Sequence, residues 1–283
     1  MSKLSGYLRL MRPINCLTMG IAVMVGAVLA SPNFSEAPLP DLIWGLVTGF
    51  MLTAASMAIN DYYDKEIDAV NEPNRPIPSG LIHPREALAF AFILTSIGFA
   101  AACLTNVFCF VIAIIAWVVF VTYTTVGKRS GLPGNFLVST CVATPFIYGS
   151  ALIANAVRLN VLIFASMAFL SNTGREITKG IVDVEGDEMQ NVKTLAVRYG
   201  EKNAAIAATI FYLLAVLLSP IPLLLDLVSF WFIPLVALTD FGLAASAFML
   251  LRDYSRENAR KVKSMILLLF ILGLLAFVAG AAR

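Results

Sequence analysis

Long apolar segments alternate with short polar segments along the whole chain. At about 20 residues per membrane crossing, the apolar segments predict nine transmembrane helices joined by short connections. The predicted spans are 13–31, 41–60, 87–104, 107–125, 135–156, 160–180, 204–224, 228–251 and 262–281. The pattern therefore predicts an all-α polytopic membrane protein in which residues 1–283 form a single integral membrane domain.

Composition supports this class. Hydrophobic residues make up 59% of the 283 positions and charged residues only 13%, and the mean hydropathy of +0.83 excludes a soluble domain. With the N-terminus in the cytoplasm, 18 of the 20 lysines and arginines fall on the cytoplasmic side, as the positive-inside rule requires. The sequence thus predicts a multi-pass protein of the cell membrane with its C-terminus outside. It gives no indication of a nucleic acid or of an obligate protein partner.

The acidic residues are concentrated in two short stretches. Of the 18 carboxylates, 12 lie within residues 61–86 and 176–201, and each stretch follows a predicted span directly. Carboxylates at the end of a membrane helix suit a hard divalent cation that holds phosphate. Either stretch alone would also fit a solvated loop, whereas two on the same side of the membrane favour a metal site. In the predicted orientation both stretches face the cytoplasm.

In the first stretch, Asn60, Asp64 and Asp68 are spaced by four residues, so one helical face carries an amide oxygen and two carboxylates in a row. All three can bind one metal cluster. Asp61 is one position off this row and is a less certain ligand. The following segment, 71–80, contains three prolines and a glycine, which end the helix and form a fixed turn that presents Arg75 to a phosphate.

The second stretch repeats this arrangement. Asp183 and Asp187 are again four residues apart, and cations surround them at Arg175, Lys179 and Lys193. Carboxylates alone would repel a diphosphate, but Mg²⁺ ions can bridge the two sets of oxygens. The two stretches together therefore predict a site for a diphosphate that arrives with Mg²⁺.

Several motifs occur together in the chain: Asn60-Asp61-x-x-Asp64-x-x-x-Asp68, Asn74-Arg75-Pro76-Ile77-Pro78-Ser79-Gly80, Asp183-x-x-x-Asp187, Lys193-Thr194-Leu195-Ala196, Arg12-Pro13-x-Asn15, and Tyr123 with Lys128-Arg129. Their combination resembles the UbiA superfamily of intramembrane prenyltransferases. The resemblance extends over most of the chain. It implies nine helices around a central cavity that opens laterally to lipid, two cytoplasmic loops that cap the cavity, and Mg²⁺-dependent transfer of a polyprenyl group from its diphosphate.

The resemblance also implies residue roles. The expected catalytic residues are Asp64, Asp68, Asp183 and Asp187. The expected metal ligands are these four aspartates together with Asn60. The expected substrate-binding residues are Arg12, Asn15, Arg75, Tyr123, Lys128, Arg129, Lys179 and Lys193. Lys128 and Arg129 would neutralise the leaving diphosphate, and Tyr123 and Tyr148 are the candidates whose ring faces would stabilise the allylic cation. The acceptor's phosphate would be bound by Arg12, Arg75, Lys179 or Lys193.

Within the superfamily, the segments 174–177 and 183–187 most resemble archaeal-type enzymes that attach a second geranylgeranyl chain to geranylgeranylglyceryl phosphate in ether-lipid biosynthesis. The implied substrates are a prenyl diphosphate donor and a lipid-soluble acceptor, drawn from among the membrane lipids. One alternative is prenylation of an aromatic acceptor such as 4-hydroxybenzoate, a quinone precursor or a tetrapyrrole. A second, a secondary transporter, should place its acidic residues near the bilayer midplane, whereas here they lie at the ends of predicted spans.

Overall fold

The computed structural model describes residues 2–31, 38–189 and 191–281, and within these ranges the long regular elements are all α-helices. A helix satisfies its backbone hydrogen bonds internally, which is what an apolar segment needs in lipid. The helices are α1 (Lys3–Met11), α2 (Pro13–Ala30), α3 (Leu39–Tyr63), α4 (Lys65–Asn71), α5 (Pro84–Cys103), α6 (Val107–Thr125), α7 (Leu132–Ala154), α8 (Leu159–Val182), α9 (Val184–Met189), α10 (Leu195–Tyr199), α11 (Glu201–Leu218), α12 (Ile221–Leu224), α13 (Phe232–Arg252) and α14 (Arg256–Ala281). The prediction of an all-α protein is confirmed.

Eight helical segments among the described residues are long and apolar enough to cross a membrane. They match eight of the nine predicted spans, and α11 with α12 forms the seventh. The sixth predicted span corresponds to α8, which has 24 residues but falls outside this group because its second half is polar and charged. The multi-pass membrane class is confirmed. The count of nine crossings, the two cap loops and the side on which each terminus lies stay predictions, and Arg283 lies outside the described residues.

The chain divides into two compact units. Unit 1 consists of Met1–Ala27, Asn33–Thr125 and Pro145–Ala156, and the pairing of α3 with α5 is its largest helix contact. Glycines let α2 approach the last part of α7 closely: a Cβ at Gly26 would collide with the carbonyl of Phe146, and one at Gly149 with the carbonyl of Val23. Small residues at a helix crossing are the usual means of close helix packing in a membrane. The close packing of α2 against α7 is part of the scaffold of unit 1, in which the end of α3 holds the start of the first acidic stretch.

Unit 2 consists of Val28–Pro32, Val126–Thr144 and Val157–Arg283. In this unit α8 packs against both α11 and α14, and α13 also contacts both of those helices. The core is apolar, with Ile177, Ile181 and Tyr212 fully or almost fully buried. Because two long helices pack against α8, the second acidic stretch begins at the end of a firmly packed helix. The single domain over residues 1–283 stays a prediction.

Candidate active site

The first carboxylate row keeps its helical spacing across a change of helix. α3 ends at Tyr63 and α4 begins at Lys65, yet the amide of Asp64 donates to the carbonyl of Asn60 at 2.9 Å and that of Asp68 to the carbonyl of Asp64 at 2.7 Å. The Asn60 side-chain amide also donates to Asp64 Oδ2 at 3.0 Å. The three side chains therefore lie along one face, as predicted, and Asn60 and Asp64 are in direct contact.

Arg75 binds the carboxylate at the far end of this row. Its Nη1 donates to Asp68 Oδ2 at 2.6 Å and lies 3.5 Å from Asp61 Oδ1. Backbone bonds of the proline-rich turn hold it there, because its amide donates to the carbonyl of Glu72 at 2.9 Å and its carbonyl accepts from Ser79 at 3.0 Å. The predicted turn thus exists, but in this structure it presents the guanidinium to carboxylates of unit 1.

Asp61 has a role that the sequence interpretation missed. Its side chain is only 3% exposed, and its Oδ1 accepts a hydrogen bond of 2.5 Å from Arg12 Nη2. Arg12 itself is in the left-handed region with φ of 51° at the junction of α1 and α2, a conformation that a non-glycine residue adopts only when its surroundings hold it. Asp61 is therefore a buried counter-ion shared by Arg12 and Arg75. Asp61 lies one position away from the row of Asn60, Asp64 and Asp68, and this offset in the sequence indicates that its side chain faces a different direction.

Two further predicted residues of unit 1 lie on α2 and α6. Asn15 is exposed on the first turn of α2, and Tyr123 is partly buried near the end of α6. Their predicted roles in substrate binding stay predictions.

The second carboxylate row also keeps its helical spacing. The amide of Asp183 donates to the carbonyl of Lys179 at 3.0 Å, and that of Asp187 to the carbonyl of Asp183 at 2.9 Å, so the backbone continues from α8 into α9. Burial, together with the negative charge of Asp183, raises the pKa of Asp187 to about 6. Burial therefore disfavours the ionised form of Asp187, and a bound divalent cation would favour it.

The predicted cations of unit 2 lie on separate segments of the chain. Lys128 and Arg129 lie in a single 3₁₀ turn after α6, and the Lys193 amide donates to the carbonyl of Arg129 at 3.2 Å. Gly131, with φ of 75°, permits this approach, because a Cβ there would collide with the carbonyl of Lys193. Lys179 instead lies on α8 and is exposed. The structure thus joins the predicted Lys128 and Arg129 segment to the end of the second acidic stretch.

The ligand chemistry of both rows suits Mg²⁺, since the available donors are carboxylate and amide oxygens. Within the described ranges, however, the structure contains no group of three or more His, Cys, Asp or Glu side chains that could hold a metal ion. Each row supplies only two aspartates of its own. A metal ion at either row would therefore need further oxygens, such as those of a substrate or of water.

The multi-pass helical fold and the aspartate motifs at two helix ends define a membrane-embedded prenyl-transferring enzyme, and comparison with known proteins gives the family. The chain belongs to the UbiA prenyltransferase family, whose model matches residues 19–274. Relatives named digeranylgeranylglyceryl phosphate synthase include one from Archaeoglobus fulgidus, 40% identical over 99% of this chain and 98% of that protein. Another, from Methanosarcina mazei, is 35% identical over 97% of both chains.

Solved structures agree with this assignment. A structure of digeranylgeranylglyceryl phosphate synthase matches with a TM-score of 0.89 and 33% identity, covering 100% of this chain and 99% of the other. A UbiA homolog from Archaeoglobus fulgidus bound to GPP and Mg²⁺ matches with a TM-score of 0.68 and 19% identity, covering 96% of this chain and 99% of the other. At that identity the second match shows a shared fold. The predicted superfamily is confirmed, and the chain is a prenyltransferase.

Proposed function

We propose that this chain transfers a geranylgeranyl group from geranylgeranyl diphosphate to geranylgeranylglyceryl phosphate, forming digeranylgeranylglyceryl phosphate for archaeal ether lipids. The observation that carries the acceptor is the similarity to relatives of that name at 33–40% identity over at least 97% of this chain. Such similarity extends through both carboxylate rows and the segments between them. Aromatic acceptors and a transport function have no comparable support.

The metal-binding part of the proposal rests on the chemistry of the two rows. We propose that the Mg²⁺ ligands are Asn60, Asp64 and Asp68 in the first row and Asp183 and Asp187 in the second row, and that the Mg²⁺ they hold binds the diphosphate. A bound Mg²⁺ would neutralise the charge that develops on the diphosphate as it leaves. The scarcity of carboxylates in each row supports this arrangement, because substrate oxygens would complete the coordination.

In the proposed reaction, the bond between the allylic carbon and the diphosphate oxygen breaks, and the electron pair leaves with the diphosphate. Lys128 and Arg129 stabilise that leaving group electrostatically. The free hydroxyl of the acceptor then attacks the allylic cation, forms the ether bond and releases its proton. A hydroxyl needs little activation against a cation, so the site requires no histidine base. Lipid-facing helices exclude the water that would otherwise capture the cation.

The orientation is part of the same proposal. The two acidic stretches and the N-terminus lie on the cytoplasmic side in this proposal, and the C-terminus lies outside. The excess of lysine and arginine in the connections on that side supports this placement. Accessibility of cysteines introduced next to Glu66 and Arg158 to a membrane-impermeant thiol reagent would test it, with labelling expected from opposite sides.

A transfer assay with purified protein tests the proposed reaction. Geranylgeranyl diphosphate is offered with either geranylgeranylglyceryl phosphate or 4-hydroxybenzoate, and we expect the first to have the higher kcat/KM. Separately substituting Asp64, Asp68, Asp183 and Asp187 by Ala should lower turnover at least about 100-fold, the scale of losing one electrostatic stabiliser. Exposed neighbours provide matched controls in Glu66→Ala and Glu188→Ala. Wild-type turnover in two of the four aspartate variants would contradict the proposed metal site.

A further inference from the structure

Arg175 on α8 has a buried donor that the protein does not use. Its Nη1 donates to Glu176 Oε1 at 2.9 Å, but its Nε is buried and has no hydrogen-bond partner among the described residues. The side chain is only 19% exposed. An unsatisfied buried donor costs about 1–3 kcal/mol, and more for a charged group. A protein retains such a group where something else satisfies it, such as a ligand.

Glu176 is the shared counter-ion of Arg175 and Lys179. Glu176 is 13% exposed, and its Oε2 lies 3.8 Å from Lys179 Nζ, so one carboxylate faces two cations. Lys179 also acts electrostatically on Asp187 of the second row. The nearby Tyr212 hydroxyl forms a 2.8 Å hydrogen bond with Thr178 and is not a partner of this pair. Within the cluster of Arg175, Glu176 and Lys179, an anionic ligand would therefore compete with one carboxylate for two cations.

This cluster lies in line with the second carboxylate row. Arg175, Lys179, Asp183 and Asp187 follow each other at intervals of four residues, and the backbone hydrogen bonds from Asp183 to Lys179 and from Asp187 to Asp183 keep the path helical. At a rise of about 1.5 Å per residue, Arg175 lies about 12 Å and Lys179 about 6 Å before Asp183 along the helix axis. Two cations and two carboxylates thus occupy successive turns of one face.

We propose that Arg175, together with Lys179, binds the phosphate monoester of the acceptor lipid. This inference rests on the proposed function. The donor's reacting carbon is bonded to the diphosphate, and the acceptor's hydroxyl is only a few bonds from its own phosphate. The acceptor phosphate must therefore lie near the diphosphate but off the metal ions, and a cluster about one to two turns before Asp183 on the same face is placed for this role.

The guanidinium geometry supports a phosphate as the ligand. Nε and an Nη group form a planar fork that matches two oxygens of a phosphate. Glu176 holds the guanidinium at its other edge through Nη1, and Nε at the remaining edge has no partner among the described residues. Before the substrate arrives, Glu176 is the counter-ion of both cations; with substrate bound, the phosphate shares that role.

The Glu176→Gln variant distinguishes phosphate binding by Arg175 from a purely structural ion pair between Arg175 and Glu176. If the two side chains only stabilise α8, removing either charge should have similar consequences. If Arg175 binds the acceptor's phosphate, Glu176→Gln removes a competing anion and retains or strengthens phosphate binding, whereas Arg175→Met weakens it. The sign of the Glu176→Gln effect therefore separates the two explanations.

The test uses the full-length protein in detergent without donor, so that no reaction occurs. Binding is followed as the ligand-induced rise in the unfolding temperature, with four probes: geranylgeranylglyceryl phosphate, geranylgeranylglycerol without the phosphate, inorganic phosphate, and geranylgeranyl diphosphate with Mg²⁺. The variants are Arg175→Met, Arg175→Lys and Glu176→Gln. Arg260→Met, on the exposed surface of α14, is the matched control for loss of one arginine.

We expect Arg175→Met to weaken binding of the glyceryl phosphate at least about tenfold, the scale of a charge-assisted bidentate contact, with donor binding changed less than about threefold. Arg175→Lys should be intermediate, because it keeps the charge and loses the fork. Should Arg175→Met fail to fold, the Arg175→Lys and Glu176→Gln pair provides the comparison. Inorganic phosphate should bind more weakly than the lipid and lose affinity in the same variants.

The inference would be overturned by equal weakening of the phosphate and phosphate-free lipids in Arg175→Met, by a larger loss for the donor than for the acceptor, or by a loss of acceptor binding in Glu176→Gln like that in Arg175→Met. Normal acceptor binding by the wild-type protein and by Arg175→Met alike would reject the role of Arg175 while leaving the proposed function intact. A wild-type protein that does not bind the glyceryl phosphate at all would reject both.

Discussion

Substituting Asp61 by Asn should destabilise the protein without removing a metal ligand. Asp61 is buried at 3% exposure and faces Arg12 at 2.5 Å and Arg75 at 3.5 Å. Removing one partner of a fully buried ion pair costs about 3–5 kcal/mol, whereas an exposed pair contributes about 0.2–1 kcal/mol. Both arginines are close to one-third exposed, at 32% and 31%. Water therefore screens part of the interaction, and we expect a loss of about 2 kcal/mol.

Thermal unfolding of the purified protein measures this loss. At about 2–4 °C per kcal/mol for a protein of this size class, Asp61→Asn should lower the unfolding temperature by about 4–8 °C. Glu66→Gln, an exposed carboxylate on α4, is the control and should change it by less than about 1 °C. Asp68→Asn is the comparison for a metal ligand, since Asp68 also contacts Arg75.

Metal binding provides the second measurement, followed with Mn²⁺ by electron paramagnetic resonance in the presence of inorganic diphosphate. Asp68→Asn should weaken Mn²⁺ binding at least about tenfold, because it removes a negatively charged oxygen ligand. Asp61→Asn should change Mn²⁺ binding by less than about threefold. If Asp61→Asn instead retains the wild-type unfolding temperature and loses Mn²⁺ as Asp68→Asn does, Asp61 is a metal ligand and the argument from its two arginines is wrong.

Four further outcomes follow from the same structure. Chelation by excess EDTA should abolish prenyl transfer and Mg²⁺ should restore it; full turnover in EDTA would contradict the metal-dependent mechanism. Since the pKa of Asp187 is raised to about 6, its carboxyl is protonated below that pH, and Mn²⁺ affinity should fall between about pH 7.5 and 5.5 in the wild type but much less in Asp187→Asn. Gly131→Ala, which places a Cβ against Lys193 at a φ of 75°, should cost about 1–3 kcal/mol in thermal unfolding, whereas Gly186→Ala, with nothing within 4 Å of the new Cβ, should cost far less. Lys179→Met should raise the acceptor's KM more than the donor's, and a larger rise for the donor would place Lys179 at the diphosphate.

The carboxylate rows could be predicted because their information is local. A spacing of four residues places side chains on one helical face whatever the rest of the chain does. The hydrogen bonds from Asp64 to Asn60 and from Asp68 to Asp64 preserve that face although α3 ends between them. The interruption itself was not predicted, because continuous helical spacing gives no signal for a small backbone distortion at Asp64.

The partners of the arginines could not be predicted because they depend on distant positions. Arg12 and Asp61 are 49 residues apart in sequence, and local spacing gives no measure of such a distance. The sequence interpretation therefore gave Arg12 and Arg75 to the acceptor's phosphate as candidates, whereas both contact Asp61 in the structure. The approach of Lys193 to Arg129 is of the same kind. Contacts between charged groups that are distant in sequence can be identified only from the packed fold.

The composition of α8 connects the fold to the chemistry. This helix is long enough to cross a membrane, but its second half carries polar side chains that lipid would penalise. Part of that polarity is satisfied inside unit 2, where Asn172 Nδ2 and Thr173 Oγ1 donate to Ser139 Oγ at 3.1 and 2.8 Å. Arg175 still keeps a buried donor without a partner among the described residues. The polar second half that distinguishes α8 from the apolar spans is therefore what a substrate-binding helix needs. A polar helix face in a membrane is stabilised where a polar ligand binds to it.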